Sequence, residues 1–199
     1  VLPETKARSL DGEILVPAGS HRHALLVGCS DYEYLDKWVQ LRGPVNDVRL
    51  MRQLLIDRFE FDPKSDDIVT LAATEDADHK PTRANIEREF LRLGESVKTG
   101  EPVVILMGGH GSQQPDNDPA NPDDLEPDGR DEIFLPSDVK KWDGTLGTVE
   151  NAIVDDDFRG WLSKIVGRGA FVWLIMDSCH SGSGVRGSES EISRQVPPE

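Results

Sequence analysis

Cysteine is nearly absent from this chain: Cys29 and Cys179 are the only 2 among 199 residues. Two cysteines argue against a disulfide framework, and a reducing, cytoplasmic setting is expected. Long hydrophobic runs are missing too. No apolar stretch approaches the ~20 residues that span a bilayer. The opening VLPETKARS lacks the basic-then-apolar pattern of a secretory signal. It starts with Val rather than Met, which leaves room for an upstream stretch. Positive charge is scarce: 22 Lys and Arg stand against 37 Asp and Glu, a formal net charge of −15 with a pI near 4.7. Such a field repels nucleic acid and anionic membranes and attracts cationic ligands. The phosphate-cradling loop with its Lys is missing as well, and GGHGSQ lacks the G-x-G-x-x-G spacing, so a nucleotide binder is disfavoured.

What is present suits one domain. The length allows a sizeable core, with 37% hydrophobic residues and a mean hydropathy of −0.46. Residues 1–20 read as an extended lead-in, 21–185 as the domain, and 186–199, rich in Ser, Glu and Arg, as a tail or linker. Buried strands are expected at His23–Cys29, Ile68–Ala72, Pro102–Met107 and Ala170–Met176, with a shorter one at Glu132–Pro136. Helical spacing runs over Val45–Phe59, Thr82–Lys98 (Thr82 as N-cap) and from Asp155 to about Val166. Residues 112–131 read as a long acidic loop, and Leu146–Val154 has room for a hairpin. Near-continuous apolar strands alternating with helices predict an α/β fold with a mostly parallel central sheet flanked by helices. Ligands of such sheets bind at the carboxyl ends of the strands.

Two strands end in reactive residues. VVILMGGHGSQ, from Val103, delivers His110, and FVWLIMDSCHSGSG, from Phe171, delivers Cys179. A thiolate attacks carbonyls, and a nearby imidazole activates the thiol and protonates the leaving amine. Gly108, Gly109 and Gly111 permit close backbone approach around His110. The N–H groups of Gly109 and Cys179 are candidate oxyanion donors. His180 adjoins Cys179, so in an extended segment it points the other way and is a poor base. Cys29, inside a strand segment, reads as a small buried hydrophobe.

HALLVGCSDY, LRGPVNDVRLM, VVILMGGHGSQ, DGRDEIFLPSD, IVDDDF and LIMDSCHSGSG, in this order over residues 22–185, resemble the caspase-like sandwich of metacaspases and orthocaspases. The nucleophile reads D-S-C-H-S-G rather than the caspase Q-A-C-[RQG]-G. The resemblance implies a cysteine endopeptidase with a Cys179/His110 dyad that cleaves after Arg or Lys. Asp47 and Asp177 match the acids of the family's first substrate pocket, where carboxylates pair with a guanidinium. Asp31 is a weaker match. Asp47 also reads as an ordinary acid in a helix's first turn.

The resemblance further implies calcium as an activator. Asp131, Asp155 and Asp156 match the family's aspartate cluster, whereas Arg186 stands where a further family aspartate is expected. Asp155 and Asp156 read equally well as an acidic helix start. The family carries a small-subunit region that completes the domain, either as a separate chain or after processing, and Arg186 and Arg194 are candidate processing sites. Two other readings stay open. One is a different caspase-fold peptidase, legumain-like or gingipain-like, which would bring secretion signals and disulfides. The other is a non-catalytic caspase-fold binding module, or a zymogen that needs a partner.

Overall fold

The computed structural model describes residues 21–72, 76–116, 129–142 and 148–178. The lead-in, the tail, Cys179, His180, Arg186 and Arg194 lie outside the described residues.

The parallel sheet is present. Strands β1 (His23–Gly28), β2 (Ile68–Ala72), β3 (Pro102–Gly108) and β7 (Phe171–Asp177) form a four-stranded sheet in the order β2-β1-β3-β7. Every pairing in it is parallel. A second sheet joins β4 (Gly111–Pro115), β5 (Arg130–Phe134) and β6 (Ile153–Val154), all antiparallel.

Alternation along β1 and β3 sorts the apolar side chains onto two faces. Ala24, Leu26, Val104 and Leu106 face α1 (Gly43–Phe59) and pack with its Val48 and Leu55. Leu25, Val27, Ile105 and Met107 face α2 (Arg83–Ser96) and α3 (Asp155–Gly167), meeting Phe90, Leu93, Trp161 and Ile165. Each helix start follows from its sequence. Pro44 opens α1, where its missing N–H costs nothing. Thr82 caps α2 by accepting the Asn85 N–H. Asp155, Asp156 and Asp157 occupy the first turn of α3, where the helix dipole favours acids.

Three expectations need correction. The long loop is bordered by paired strands: Gly111–Pro115 lies antiparallel to Arg130–Phe134, so the expected strand at Glu132–Pro136 begins and ends two residues earlier. Ile153 and Val154 pair with β5 rather than closing a local hairpin; the first part of that segment, up to residue 147, lies outside the described residues. Most important, β7 is not buried on both faces. Phe171 is 46% and Trp173 53% exposed, because α1 packs against β1, β2 and β3 and stops short of the outermost strand.

Candidate active site

The register aligns the carboxyl ends of the strands in one row. Ala72 pairs with Gly28, Gly28 with Gly108, and Gly108 with Asp177. The start of α1 lies directly on this row. A Cβ at Gly28 would sit 2.8 Å from the Pro44 carbonyl oxygen and 2.9 Å from Val48 Cγ2, so only glycine lets the helix approach. Asp47, half-buried in the opening turns of α1, and Asp177, half-buried at the end of β7, are thereby brought to the same end of the sheet. Asp31, in the loop after β1, is exposed.

His110 sits between β3 and β4 and is only 6% exposed. Its Nε2 lies 2.7 Å from the Val39 carbonyl oxygen. A carbonyl only accepts, so Nε2 carries the proton and Nδ1 is the acceptor nitrogen of the ring. The His110 backbone N–H donates to Tyr32 Oη at 2.9 Å, and that hydroxyl donates to the Cys29 carbonyl at 3.2 Å. The Tyr32 and His110 rings lie 5.3 Å apart between centroids.

A closed loop delivers both partners. Leu41 N–H donates to the Ser30 carbonyl and closes it. Inside, Gln40 grips Tyr32 twice: Oε1 accepts the Tyr32 N–H at 2.7 Å and Nε2 donates to the Tyr32 carbonyl at 3.0 Å. The spacing of apolar residues does not predict these roles. Tyr32 looks like any loop aromatic, and a backbone carbonyl such as that of Val39 carries no signal in its side chain. The one available hint was the group Tyr32, Tyr34 and Trp38 in a short loop after a strand.

Gly109 is required sterically. A Cβ there would meet Cys29 Cβ, Phe134 Cζ and Tyr32 Oη, each at 3.1 Å. Its N–H donates to the Asp177 carbonyl at 3.3 Å, so it ties β3 to β7 instead of standing ready for an oxyanion. Gly111 is better placed. Leu135 N–H donates to the His110 carbonyl, which makes positions 110 and 135 a hydrogen-bonded pair. Gly111 and Phe134 then form the next, non-hydrogen-bonded pair, and the Gly111 N–H points away from β5.

Cys29 is fully buried, and its thiol lies 3.7 Å from the Pro81 carbonyl. Burial, then the charge of Asp138, pushes the thiol far above its ordinary range, despite a backbone hydrogen bond from Ser137. This cysteine packs; it is no nucleophile.

The three aspartates matched to calcium lie on neighbouring segments: Asp131 is in β5, and Asp155 and Asp156 directly follow β6, which pairs with β5. Asp131 is 3% exposed and accepts from Gln114 Nε2 at 3.0 Å. Asp155 and Asp156 both face Arg159 on their own helix. Among the described residues no group of three or more His, Cys, Asp or Glu is arranged to hold a metal ion.

A parallel sheet crowned at its carboxyl end by a loop-anchored histidine defines a caspase-like α/β domain. The family model of the metacaspase peptidase C14 domain matches residues 22–186, and the chain belongs to that family. It is 34% identical over 175 residues to metacaspase-6 of Arabidopsis thaliana, covering 88% of this chain and 42% of the relative. It is 32% identical over 167 residues to metacaspase-1 of Plasmodium falciparum, covering 83% of this chain and 25% of the relative. The chain thus spans less than half the length of these relatives. A crystal structure of a protein from Geobacter sulfurreducens shares the fold, with a TM-score of 0.56 and 23% identity over 82% of this chain and 52% of that one. Among the described residues no helix is long and apolar enough to cross a membrane.

Proposed function

We propose that this protein is a cysteine endopeptidase that cleaves after Arg, and less readily after Lys, using Cys179 and His110. The observation that carries this reading is one of register. Pro102 pairs with Phe171 and Gly108 with Asp177, an offset of 69 positions, and Cys179 follows His110 by the same 69. In sequence, Cys179 therefore lies as far beyond Asp177 at the end of β7 as His110 lies beyond Gly108 at the end of the adjacent β3, which supports pairing the two.

The chemistry follows from the tautomer. The Cys179 thiol passes its proton to His110 Nδ1, while Nε2 stays bonded to the Val39 carbonyl. The thiolate attacks the substrate carbonyl carbon, and the electron pair moves onto oxygen. The Cys179 N–H and the Gly111 N–H, in place of Gly109, stabilise that charge. The C–N bond then breaks, and His110 returns its proton to the leaving amine. Water hydrolyses the thioester. Asp47 and Asp177 supply carboxylates for a guanidinium; Arg presents a planar fork to them and Lys only a point charge.

A further segment of the full-length protein, the family's small subunit, is proposed to cover β7. The groove beside that strand is lined by Phe59, Phe61, Phe171 and Trp173, and an apolar face of this kind favours burial. Processing after Arg186 or Arg194 would release such a segment. Calcium is proposed as an activator only through a rearrangement that frees Asp131, Asp155 and Asp156 from their present partners. The working compartment is proposed to be reducing, because the thiol must stay reduced.

The test is hydrolysis by the full-length protein of fluorogenic peptides ending in Arg, Lys, Asp or Asn, with calcium and with chelator, beside Cys179→Ala. Turnover of Arg peptides, lost in the variant, supports the reading. Cleavage after Asp would refute the acidic pocket. Equal rates with calcium and chelator would remove the metal from the scheme.

A further inference from the structure

A cavity of about 90 Å³ lies on the Val39 side of His110. Leu35, Trp38, Val39, Ile133 and Leu135 provide its apolar wall. Val39 therefore serves two surfaces: its carbonyl holds His110 Nε2 at 2.7 Å, and the residue itself lines the cavity. Trp38, in the short turn that carries Val39, is 71% exposed. A large aromatic left in water at the mouth of an apolar cavity is the composition of a binding site more than of a core.

Charge at the rim differs from that at the row of strand ends. Lys141 pairs with Asp36 at 3.0 Å, and the Lys140 ammonium lies over the Tyr34 ring. The strand-end row instead carries Asp47 and Asp177. A basic side chain suits the acidic end and is unwelcome beside two lysines.

We infer that this cavity receives a branched aliphatic side chain from one of the first two substrate residues after the scissile bond. The inference rests on the peptidase reading above. His110 gives its proton to the leaving amine, so the chain that follows the scissile bond departs past His110. The next structure on that side is the turn holding Trp38 and Val39. The volume argues for the occupant's size: an apolar cavity of about 150 Å³ admits benzene, so about 90 Å³ suits Leu, Ile or Val. The enzyme thereby reads both sides of the bond, a basic residue before it and an apolar one after it.

The test uses the full-length protein and peptides with Arg before the bond and Leu, Gly, Asp or Lys at each of the next two positions. Leu at one position is expected to raise kcat/KM about tenfold over Gly, with Asp and Lys no better than Gly. Trp38→Ala is expected to bring the Leu-to-Gly ratio close to one, and Trp38→Phe to keep most of it. Because a ratio is read, a general loss of activity through a disturbed Val39 cancels. An unchanged ratio in Trp38→Ala, or no preference in the wild type, overturns the inference. Should no peptide be cleaved, the peptidase reading fails separately. The cavity is then tested by tryptophan fluorescence with a product-like peptide beginning with Leu or with Asp. Saturable binding of the Leu peptide alone, lost in Trp38→Ala, supports the site; its absence overturns it.

Discussion

Among the described residues two histidines are almost wholly buried, at opposite ends of neighbouring strands. His23 begins β1, and His110 follows β3. Their surroundings differ in kind. His23 Nε2 lies 3.0 Å from Glu101 Oε2 and its Nδ1 lies 3.4 Å from Asp67 Oδ1. His110 Nε2 meets a neutral carbonyl, and its backbone N–H meets a tyrosine hydroxyl. Carboxylates flank the His23 ring from two separate parts of the chain, which suits a structural tie. A neutral acceptor on one nitrogen fixes the orientation and tautomer of the ring. The two histidines are alike in burial and differ in the groups beside them: carboxylates at His23, a carbonyl and a hydroxyl at His110.

Exchanging each ring for a methyl group would break the comparison most sharply. His110→Ala is expected to lower kcat about 10²–10⁴-fold while thermal unfolding changes little. His23→Ala is expected to do the reverse. It leaves Glu101 and Asp67 without their shared partner, at a cost of about 3 kcal/mol, with kcat kept in the protein that remains folded. Kinetics and calorimetry on both variants decide it. Similar damage to both properties in both variants would erase the distinction.

A smaller effect tests the packing that sets His110 in place. In Gly109→Ala the new methyl meets three groups at 3.1 Å, none of them the loose end of a flexible side chain. Overpacking of this kind costs about 1–3 kcal/mol. Because β3 must shift against Tyr32, activity is expected to fall more than stability. Tyr32→Phe is milder. It leaves the Cys29 carbonyl and the His110 N–H without the hydroxyl that joins them, at about 1–2 kcal/mol. An unfolding midpoint equal to wild type would show that the hydroxyl does not hold the loop.

The contrast also explains what could be read from the residues. The parallel strands were legible because β1 and β3 are apolar on both faces and bounded by Gly or Pro. The chain's two cysteines separated in the same way, since Cys29 lies within apolar sequence and Cys179 follows an acid and precedes a Gly/Ser turn. The strands bordering the acidic loop were not legible. Gly111–Pro115 reads GSQQP, with little β-propensity, and is held by pairing to β5 rather than by its own preference. The exposure of β7 was hidden as well: Phe171 and Trp173 look like core, and only the reach of α1 shows that nothing described covers them. At the site, His110 and its glycines were visible. The Val39 carbonyl, the Tyr32 hydroxyl and the double grip of Gln40 depend on loop closure and could not be seen.

The subtlest test lies at the His23 end and concerns acid. Burial opposes the Asp67 carboxylate, but the Ser65 hydroxyl, the His21 hydrogen bond and the charges of His23 and His21 outweigh it, so the group titrates below its ordinary value. Glu101 behaves alike: burial is overcome by hydrogen bonds from His23 and the Lys98 N–H and by the charges of both residues. A carboxyl whose pKa is lower in the folded state adds stability that is complete above its unfolded pKa, near 4, and is lost as pH falls through the folded value. Stability should therefore hold from neutral pH down to about 4 and drop below it. Glu101→Gln is expected to be less stable at neutral pH and to lose less on acidification, so the two curves of unfolding midpoint against pH converge at the acid end. Parallel curves would mean that Glu101 contributes through shape rather than charge. The clamp on His23 would then be no more electrostatic than the cradle of His110.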